Sequence, residues 1–193
     1  MNSTTSRLHS LPAHHYDRIT RLFHWLTAAV VIFLFASAHI WAFLAKGTDL
    51  RKGLQSVHIS LGIAFAVLIV ARIVWRVFGG NRPKHDTHPA AHLAASLGHG
   101  VLYLLLLAQI SLGFLFRWAQ GEPFTFFGLF PIPAPFAIDH GLRSTLGGLH
   151  DNVAWAIIFL AGVHAAAALW HHYIIGDSTL KRMLPMPLGD LRG

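Results

Sequence analysis

The sequence contains no cysteine. This absence excludes disulfide bonds, cysteine-ligated iron–sulfur clusters and the Cys-x-x-Cys-His attachment of c-type haem. Charged residues are also scarce, at 12% of the 193 residues, whereas 54% of the residues are hydrophobic. The mean hydropathy is +0.51. This balance argues against a soluble globular protein and is typical of a membrane protein.

Four long apolar segments hold most of the hydrophobic residues. They cover residues 22–45, 54–78, 93–118 and 146–175. Each reaches the ~20 residues that a helix needs to cross the hydrocarbon core of a bilayer. Lipid offers no partners for unpaired backbone groups, so each segment is predicted to be helical. The sequence therefore predicts an all-α, integral membrane four-helix bundle over 18–178, with tails over 1–17 and 179–193. The polar N-terminus does not resemble a cleavable signal peptide.

The basic residues are distributed unevenly along the chain, whose formal net charge is +7. With four spans, both termini and the middle loop share one side of the membrane. That side carries ten Lys and Arg residues: Arg7, Arg18, Arg21, Arg72, Arg76, Arg82, Lys84, Lys181, Arg182 and Arg192. The opposite side carries five: Lys46, Arg51, Lys52, Arg117 and Arg143. The positive-inside rule predicts cytoplasmic termini. Because the charges border the membrane rather than form one patch, nucleic acid is not an expected partner.

Histidines within the spans are the candidate cofactor ligands. His150 and His164 are 14 residues apart in the fourth span, about 21 Å along one helix face. His24 lies near the start of the first span, at the level of His164. His58 lies near the start of the second span, at the level of His150. Facing side chains of a bundle core are suited to cofactor binding. We therefore predict two cross-helix pairs, His24/His164 and His58/His150, at different depths.

Small residues stand four positions after each proposed ligand, where a flat macrocycle needs room: Ala28, Gly62, Ala154 and Ala168. Bulkier residues follow the other intramembrane histidines, His39, His99 and His171: Phe43, Tyr103 and Ile175. A single intramembrane histidine is commonly a hydrogen-bonded core residue. Zinc requires three or four closely grouped ligands, and no lysine lies within a span to bind retinal. Two bis-histidine haem b groups stacked across the bilayer explain the pattern best.

Several motifs resemble the bacterial di-haem cytochrome b561 family, including its superoxide oxidase members. They are YDRITRLFHWL (16–26), VHISLGI (57–63), ARIVWR (71–76), LGHGVLYLLL (97–106), GLH (148–150) and GVHAAAALWHHY (162–173). The resemblance implies the same four haem ligands and a bacterial inner-membrane location. It also implies that superoxide is oxidised at the periplasmic face and that ubiquinone is reduced. The sequence departs from that pattern in its longer N-terminal tail and in His39, to which we assign no role.

The remaining site residues fall into three groups. His171, about 10 Å from His164 toward the cytoplasm, is expected to contact the quinone together with His172 and Arg72; alternatively, the two histidines complement a helix C-terminus. Haem propionates are expected to pair with Arg18, Arg21, Arg76 and His99. At the outer level, Arg51, Lys52, Arg117 and Arg143 are expected to attract superoxide, or else to contact lipid headgroups. The aromatic loop 119–145 is predicted to cap the outer face.

Three functions remain open at this point. The first is a superoxide:quinone oxidoreductase that needs no protein partner. The second is a cytochrome b subunit that links a partner dehydrogenase or hydrogenase to the quinone pool. The third is a bundle whose histidines relay protons without haem. A red protein with a b-type spectrum would exclude the third, and a co-purifying subunit would favour the second.

Overall fold

The computed structural model describes residues 16–80 and 89–184, and four long helices make up most of this part of the chain. They are α1 (Arg18–Ala42), α2 (Asp49–Phe78), α3 (Pro89–Ala119) and α4 (Arg143–Trp170). A π-helical turn, His171–Ile175, continues α4, and a 3₁₀ turn, His140–Leu142, precedes it. All four helices are long and apolar enough to cross a membrane. The predicted four-helix fold is confirmed.

The helix boundaries differ from the predicted spans because polar residues cap the helices outside the apolar segments. Asp17 caps α1 by accepting a 2.8 Å hydrogen bond from the backbone N–H of Thr20, so α1 starts four residues before the predicted span. α1 ends three residues before the predicted end of the first span, ahead of Gly47, whose φ is +85°. At the other end of the bundle, Gly176 ends the π-helical turn in the left-handed conformation that favours glycine.

The four helices form two closely packed pairs. α1 packs along α2 and α3 packs along α4, whereas the contact between α2 and α3 is much smaller. The buried apolar centre consists of Phe65, Ile69, Leu106 and Ile157, which come from α2, α3 and α4. Large apolar side chains such as Phe33, Val67 and Phe159 are exposed on the outside of the bundle, where lipid would cover them. A seam therefore runs between the α1/α2 pair and the α3/α4 pair.

The loop after α3 contains a short hairpin of strands β1 (Thr125–Phe126) and β2 (Phe130–Pro131). Its turn places both Phe127 (φ 48°) and Gly128 (φ 75°) in the left-handed region. Ser60, which is fully buried in α2, accepts a 2.9 Å hydrogen bond from the Phe127 N–H. The loop that was expected to cap the outer face is therefore attached to α2 two residues after His58.

The chain after α4 folds back onto the start of α1. Arg21 donates to the Leu184 carbonyl at 2.8 Å, and the Trp25 indole donates to the Met183 carbonyl at 2.8 Å. Residues 179–184 of the expected C-terminal tail thus belong to the packed structure. The remainder of that tail, and residues 1–15 of the expected N-terminal tail, lie outside the described residues, as do Arg82 and Lys84.

Candidate haem and quinone sites

The proposed inner ligands face each other across the seam. His24 of α1 and His164 of α4 have ring centroids 6.2 Å apart. Metal–imidazole bonds are about 2 Å long, so two rings on opposite sides of one metal ion would have centroids roughly 6 Å apart. The sequence paired these two residues by depth, helix face and clearance, and their rings lie at a separation that would suit ligands of one metal ion; their role as haem ligands stays a prediction.

Two further side chains surround the inner pair. The His99 ring lies 5.2 Å from that of His164, edge to face. One Arg72 nitrogen, Nη2, lies 3.4 Å from Nδ1 of His24. A guanidinium can only donate, so this contact puts the His24 proton on Nε2. Binding of iron through Nε2 would therefore require Arg72 to give up its contact with Nδ1 of His24. A haem propionate would offer the Arg72 guanidinium a stronger partner.

The proposed outer ligands line one large cavity in the seam. Its volume is about 780 Å³, and residues from all four helices and from the hairpin surround it. His58 enters it from α2 and His150 from α4, with Gly62 and Ala154 beside them. Among the described residues, no atom lies within 4 Å of a Cβ placed at Gly62. The small residues singled out in the sequence thus border open volume.

The two outer imidazoles differ in their hydrogen bonds. Nδ1 of His58 lies 3.1 Å from the Ser37 hydroxyl, which leaves Nε2 available to a metal. Nε2 of His150 lies 3.2 Å from Nε2 of Gln109, an amide that would have to turn away on metal binding. Within the described ranges no partner reaches the buried Nδ1 of His150 or the buried Oε1 of Gln109. Buried polar atoms without a hydrogen-bond partner are uncommon, and these two belong to residues that line the cavity in which a bound group would fit.

These residues fit haem b and not a clustered metal ion. In the described part of the chain, no three His, Cys, Asp or Glu side chains are grouped as a zinc site would require. The histidines occur instead as two pairs across the seam, each next to small residues or open volume. Comparison with known proteins agrees: the family described as prokaryotic cytochrome b561 matches residues 15–186.

The chain belongs to the prokaryotic cytochrome b561 family. It is 37% identical over 178 residues to cytochrome b561 homolog 2 of Escherichia coli K12, covering 91% of this chain and 94% of the relative. It is 32% identical over 167 residues to the probable superoxide oxidase CybB of Yersinia pestis, covering 86% and 93%. It is 31% identical over 173 residues to cytochrome b562 of Cereibacter sphaeroides, covering 88% and 94%.

Family membership makes this protein a multi-pass bacterial membrane protein of electron transfer, with haem b as the cofactor that the family implies. As a cytochrome b561 it is an oxidoreductase component rather than a proton-relaying bundle without haem. The third function considered from the sequence is therefore set aside.

The outer basic residues of this cytochrome b561 do not form one uniform ring. Lys52, Arg117 and Arg143 line the outer cavity, whereas Arg51 instead donates to the Leu44 carbonyl at 2.7 Å. Arg117 hydrogen-bonds to Gln120, lies 3.9 Å from the Glu122 carboxylate and stacks over the Phe124 ring at 5.5 Å. Glu122 and Asp151 also line the cavity. Acidic groups therefore partly offset the positive charge there, which the sequence analysis did not consider.

The inner basic residues are likewise used in different ways. Arg72 and Arg76 both stack on Tyr103, at 5.3 and 5.9 Å from its ring centroid. The Nη1 of Arg21 donates to the Leu184 carbonyl, while its buried Nε has no partner among the described residues. Arg18 is exposed. Pairing of Arg18, Arg21, Arg76 and His99 with propionates remains a prediction.

The expected quinone residue His171 forms an ion pair that the sequence analysis missed. Its Nδ1 lies 2.6 Å from Oδ2 of Asp177, and the other Asp177 oxygen accepts from the Thr179 N–H at 2.8 Å. Burial opposes ionisation of Asp177, but these hydrogen bonds outweigh it and lower its pKa to about 2. The Nδ1 of the neighbouring His172 has no partner among the described residues. π-helical turns such as His171–Ile175 often occur at functional sites.

Three polar residues of these sites were absent from the predicted set: Ser37, Gln109 and Asp177. Ser37 and Gln109 lie on different helices from the histidines that they contact, so no sequence spacing points to them. Asp177 could have been found, because it is an acidic residue directly after a helix-ending glycine and six positions after His171. It was overlooked because the predicted fourth span ends at residue 175.

Proposed function

We propose that this cytochrome b561 carries two haem b groups, oxidises superoxide at the periplasmic face and reduces ubiquinone. In this proposal the protein lies in the bacterial inner membrane with both termini in the cytoplasm, in keeping with the positive-inside distribution of its charges. The observation that carries the proposal is the pairing of imidazoles across the seam, above all the 6.2 Å separation of His24 and His164.

Each haem would be held by one imidazole from the α1/α2 pair and one from the α3/α4 pair. His24 and His164 would hold the inner group, and His58 and His150 the outer one. Held by two imidazoles, haem b would supply a one-electron carrier. The protein's part is to fix the ring orientations, provide room through Gly62 and Ala154, and exclude water with the surrounding apolar side chains.

Ligand variants test the haem assignment. His58→Ala and His150→Ala should each lower the haem content from two to one per chain, whereas His39→Ala should leave two. His39 is a suitable control because it lines the same cavity but its Nδ1 is bonded to the Phe35 carbonyl of its own helix. Haem is counted as the pyridine complex in protein purified in detergent. Two haems in His58→Ala, or a five-coordinate iron in the unaltered protein, would contradict the assignment.

Oxidation of superoxide at the outer cavity is supported by its charge and by the relative named probable superoxide oxidase. Lys52 and Arg143 line the cavity and are exposed, so they can attract an anion from solution. Two superoxide ions each give up one electron and become oxygen. One ubiquinone accepts both electrons with two protons and becomes ubiquinol. No covalent chemistry on the protein is needed.

Charge reversal tests the attraction of superoxide. Lys52→Glu and Arg143→Glu should lower the second-order rate constant about tenfold at low salt, since electrostatic steering contributes 10-fold or more. Arg51→Glu is the matched control, because it makes the same charge change at a residue that does not line the cavity. The Arg51 side chain is hydrogen-bonded to the Leu44 carbonyl. Stopped-flow mixing with superoxide measures the rate. Equal rates for all three variants, or a rate insensitive to salt, would refute steering by the cavity residues.

Ubiquinone is assigned to the cytoplasmic end of α4, where His171 and Asp177 meet. With Nδ1 bonded to the carboxylate, His171 can donate from Nε2 only as the doubly protonated imidazolium. The pair would in that form hold a proton for a quinone carbonyl, with His172 next to it in the chain, whereas Arg72 lies beside His24 at the level of the inner histidine pair. Replacing His171 by Ala should keep both haems but slow quinone reduction at least tenfold, consistent with the loss of a general acid.

A further inference from the structure

A buried hydroxyl on α1 contacts an imidazole on α2. Ser37 is 2% exposed. Its Oγ lies 3.0 Å from the Leu34 carbonyl oxygen of its own helix and 3.1 Å from Nδ1 of His58. We propose that Ser37 is a positioning residue that fixes the tautomer and the ring orientation of His58. This inference rests on the proposed role of His58 as an outer haem ligand.

The proton positions follow from the number of donors. A serine hydroxyl has one hydrogen, and the Leu34 carbonyl, which can only accept, takes it. Toward His58 the Ser37 oxygen is therefore an acceptor, so Nδ1 of His58 carries the proton. Nε2 is then the unprotonated nitrogen and the one that can bind iron.

Two of the other proposed ligands lack such a support. Nδ1 of His24 faces the Arg72 guanidinium, which donates to it. Nδ1 of His150 has no partner in the described part of the chain. Neutral oxygen acceptors behind a metal-bound imidazole fix its tautomer and raise its basicity. Of these three histidines, His58 is therefore the one whose Nδ1 faces a neutral oxygen acceptor in the described part of the chain.

The position of Ser37 makes the contact stable. It links α1 to α2, and these helices form one of the two closely packed pairs. The Trp41 ring packs edge to face on His58 at 4.9 Å, one turn further along α1. The imidazole is thus held by a hydrogen bond at one position of α1 and by an aromatic contact at the next turn. Binding of the outer haem would require little rearrangement on this side of the seam.

The test compares Ser37→Ala with Thr27→Ala. Thr27 is a matched control because it is also buried in α1 and its hydroxyl also donates to a carbonyl of the preceding turn, that of Phe23 at 2.6 Å. Ser37→Ala should weaken retention of the outer haem 10- to 100-fold and raise its midpoint potential, because the imidazole becomes a weaker electron donor. The inner haem and the Thr27→Ala protein should behave as the unaltered protein does.

Haem loss to excess apomyoglobin and a spectroelectrochemical titration provide the two readouts, and neither depends on superoxide or quinone. Ser37→Thr and Ser37→Val have the same shape and differ in the hydroxyl, so only the Thr variant should retain the normal potential. Equal behaviour of these two variants, or of Ser37→Ala and Thr27→Ala, would overturn the proposal. If instead His58→Ala retained both haems, the ligand assignment itself would fail.

Discussion

Replacing Asp177 by Asn removes a charge from the pair with His171 while keeping the shape and one acceptor oxygen. Because an amide can still accept from Thr179, the local turn should persist. What is lost is the charge-assisted part of the 2.6 Å contact between Oδ2 and Nδ1. The variant therefore isolates the electrostatic contribution of the pair.

The size of that contribution can be worked out from the pKa of Asp177. Lowering it from 3.8 to about 2 corresponds to roughly 2 kcal/mol. The Asp177 side chain is 27% exposed, so solvent screening reduces the expected figure to about 1 kcal/mol. A lowered carboxyl pKa stabilises the fold above the unfolded-state value, and this stabilisation is lost as the pH falls through the folded-state value. The difference between the two proteins should therefore be about 1 kcal/mol at pH 6 and close to zero near pH 2.

The measurement is the free energy of unfolding of the haem-loaded protein in detergent, determined at several pH values between 2 and 6. Asp139→Asn is the matched control, since Asp139 also accepts a 2.8 Å bond from an N–H two residues ahead but forms no ion pair with a histidine among the described residues. Comparison of the two variants separates the effect of the contact with His171 from that of the N–H bond alone. A difference for Asp177→Asn that stays constant from pH 6 to pH 2 would refute the ion pair as its source.

Two further predictions concern glycines and one strained residue. A Cβ at Gly113 would lie 3.2 Å from Cε1 of His150, whereas one at Gly100 meets nothing within 4 Å among the described residues; Gly113→Ala should therefore perturb the outer haem spectrum and Gly100→Ala should not. In the hairpin, Gly128→Ala puts a side chain at a positive φ and should destabilise the protein by about 1 kcal/mol, while Phe127→Gly relieves a positive φ but loses a ring contact with Phe126 and adds chain entropy to the unfolded state, so its effect should be much smaller. Thermal unfolding in detergent measures both, and equal effects of the two hairpin changes would contradict the strain.

The pairing of the inner histidines could be predicted because it depends on quantities that a sequence contains. Helix rise and rotation place His150 and His164 on one face at two depths, and alternating span direction then assigns His24 to the level of His164. The structure adds the ring separation, which no spacing provides. The number of spans could be predicted, because the requirement for about 20 apolar residues leaves few alternatives.

The polar surroundings of the sites could not be predicted, since they depend on which helices pack in pairs. The contact of Ser37 with His58 requires α1 to lie against α2, and stacking of Arg72 on Tyr103 requires α2 to meet α3. A sequence with four apolar segments is compatible with several such arrangements. The prediction that the outer basic residues act together was made without knowledge of the helix packing. Arg51 is instead hydrogen-bonded to the Leu44 carbonyl.

The position of the buried apolar centre suggests how the two ends of the protein divide the reaction. Ile157 is seven residues from His150 and seven from His164, about 10 Å from each along α4. With Phe65 and Leu106 it forms the buried layer between the two proposed haem levels. An apolar layer gives no hydrogen-bonded path to a proton or an ion, but it does not prevent an electron from passing between two closely spaced carriers. Under the proposed function, electrons would therefore enter at the outer cavity without protons, and the protons for the quinone would come from the side of His171 and Asp177. A polar residue at position 157 would admit water to this layer, and the separation of proton and electron pathways would then be lost even if both haems remained bound.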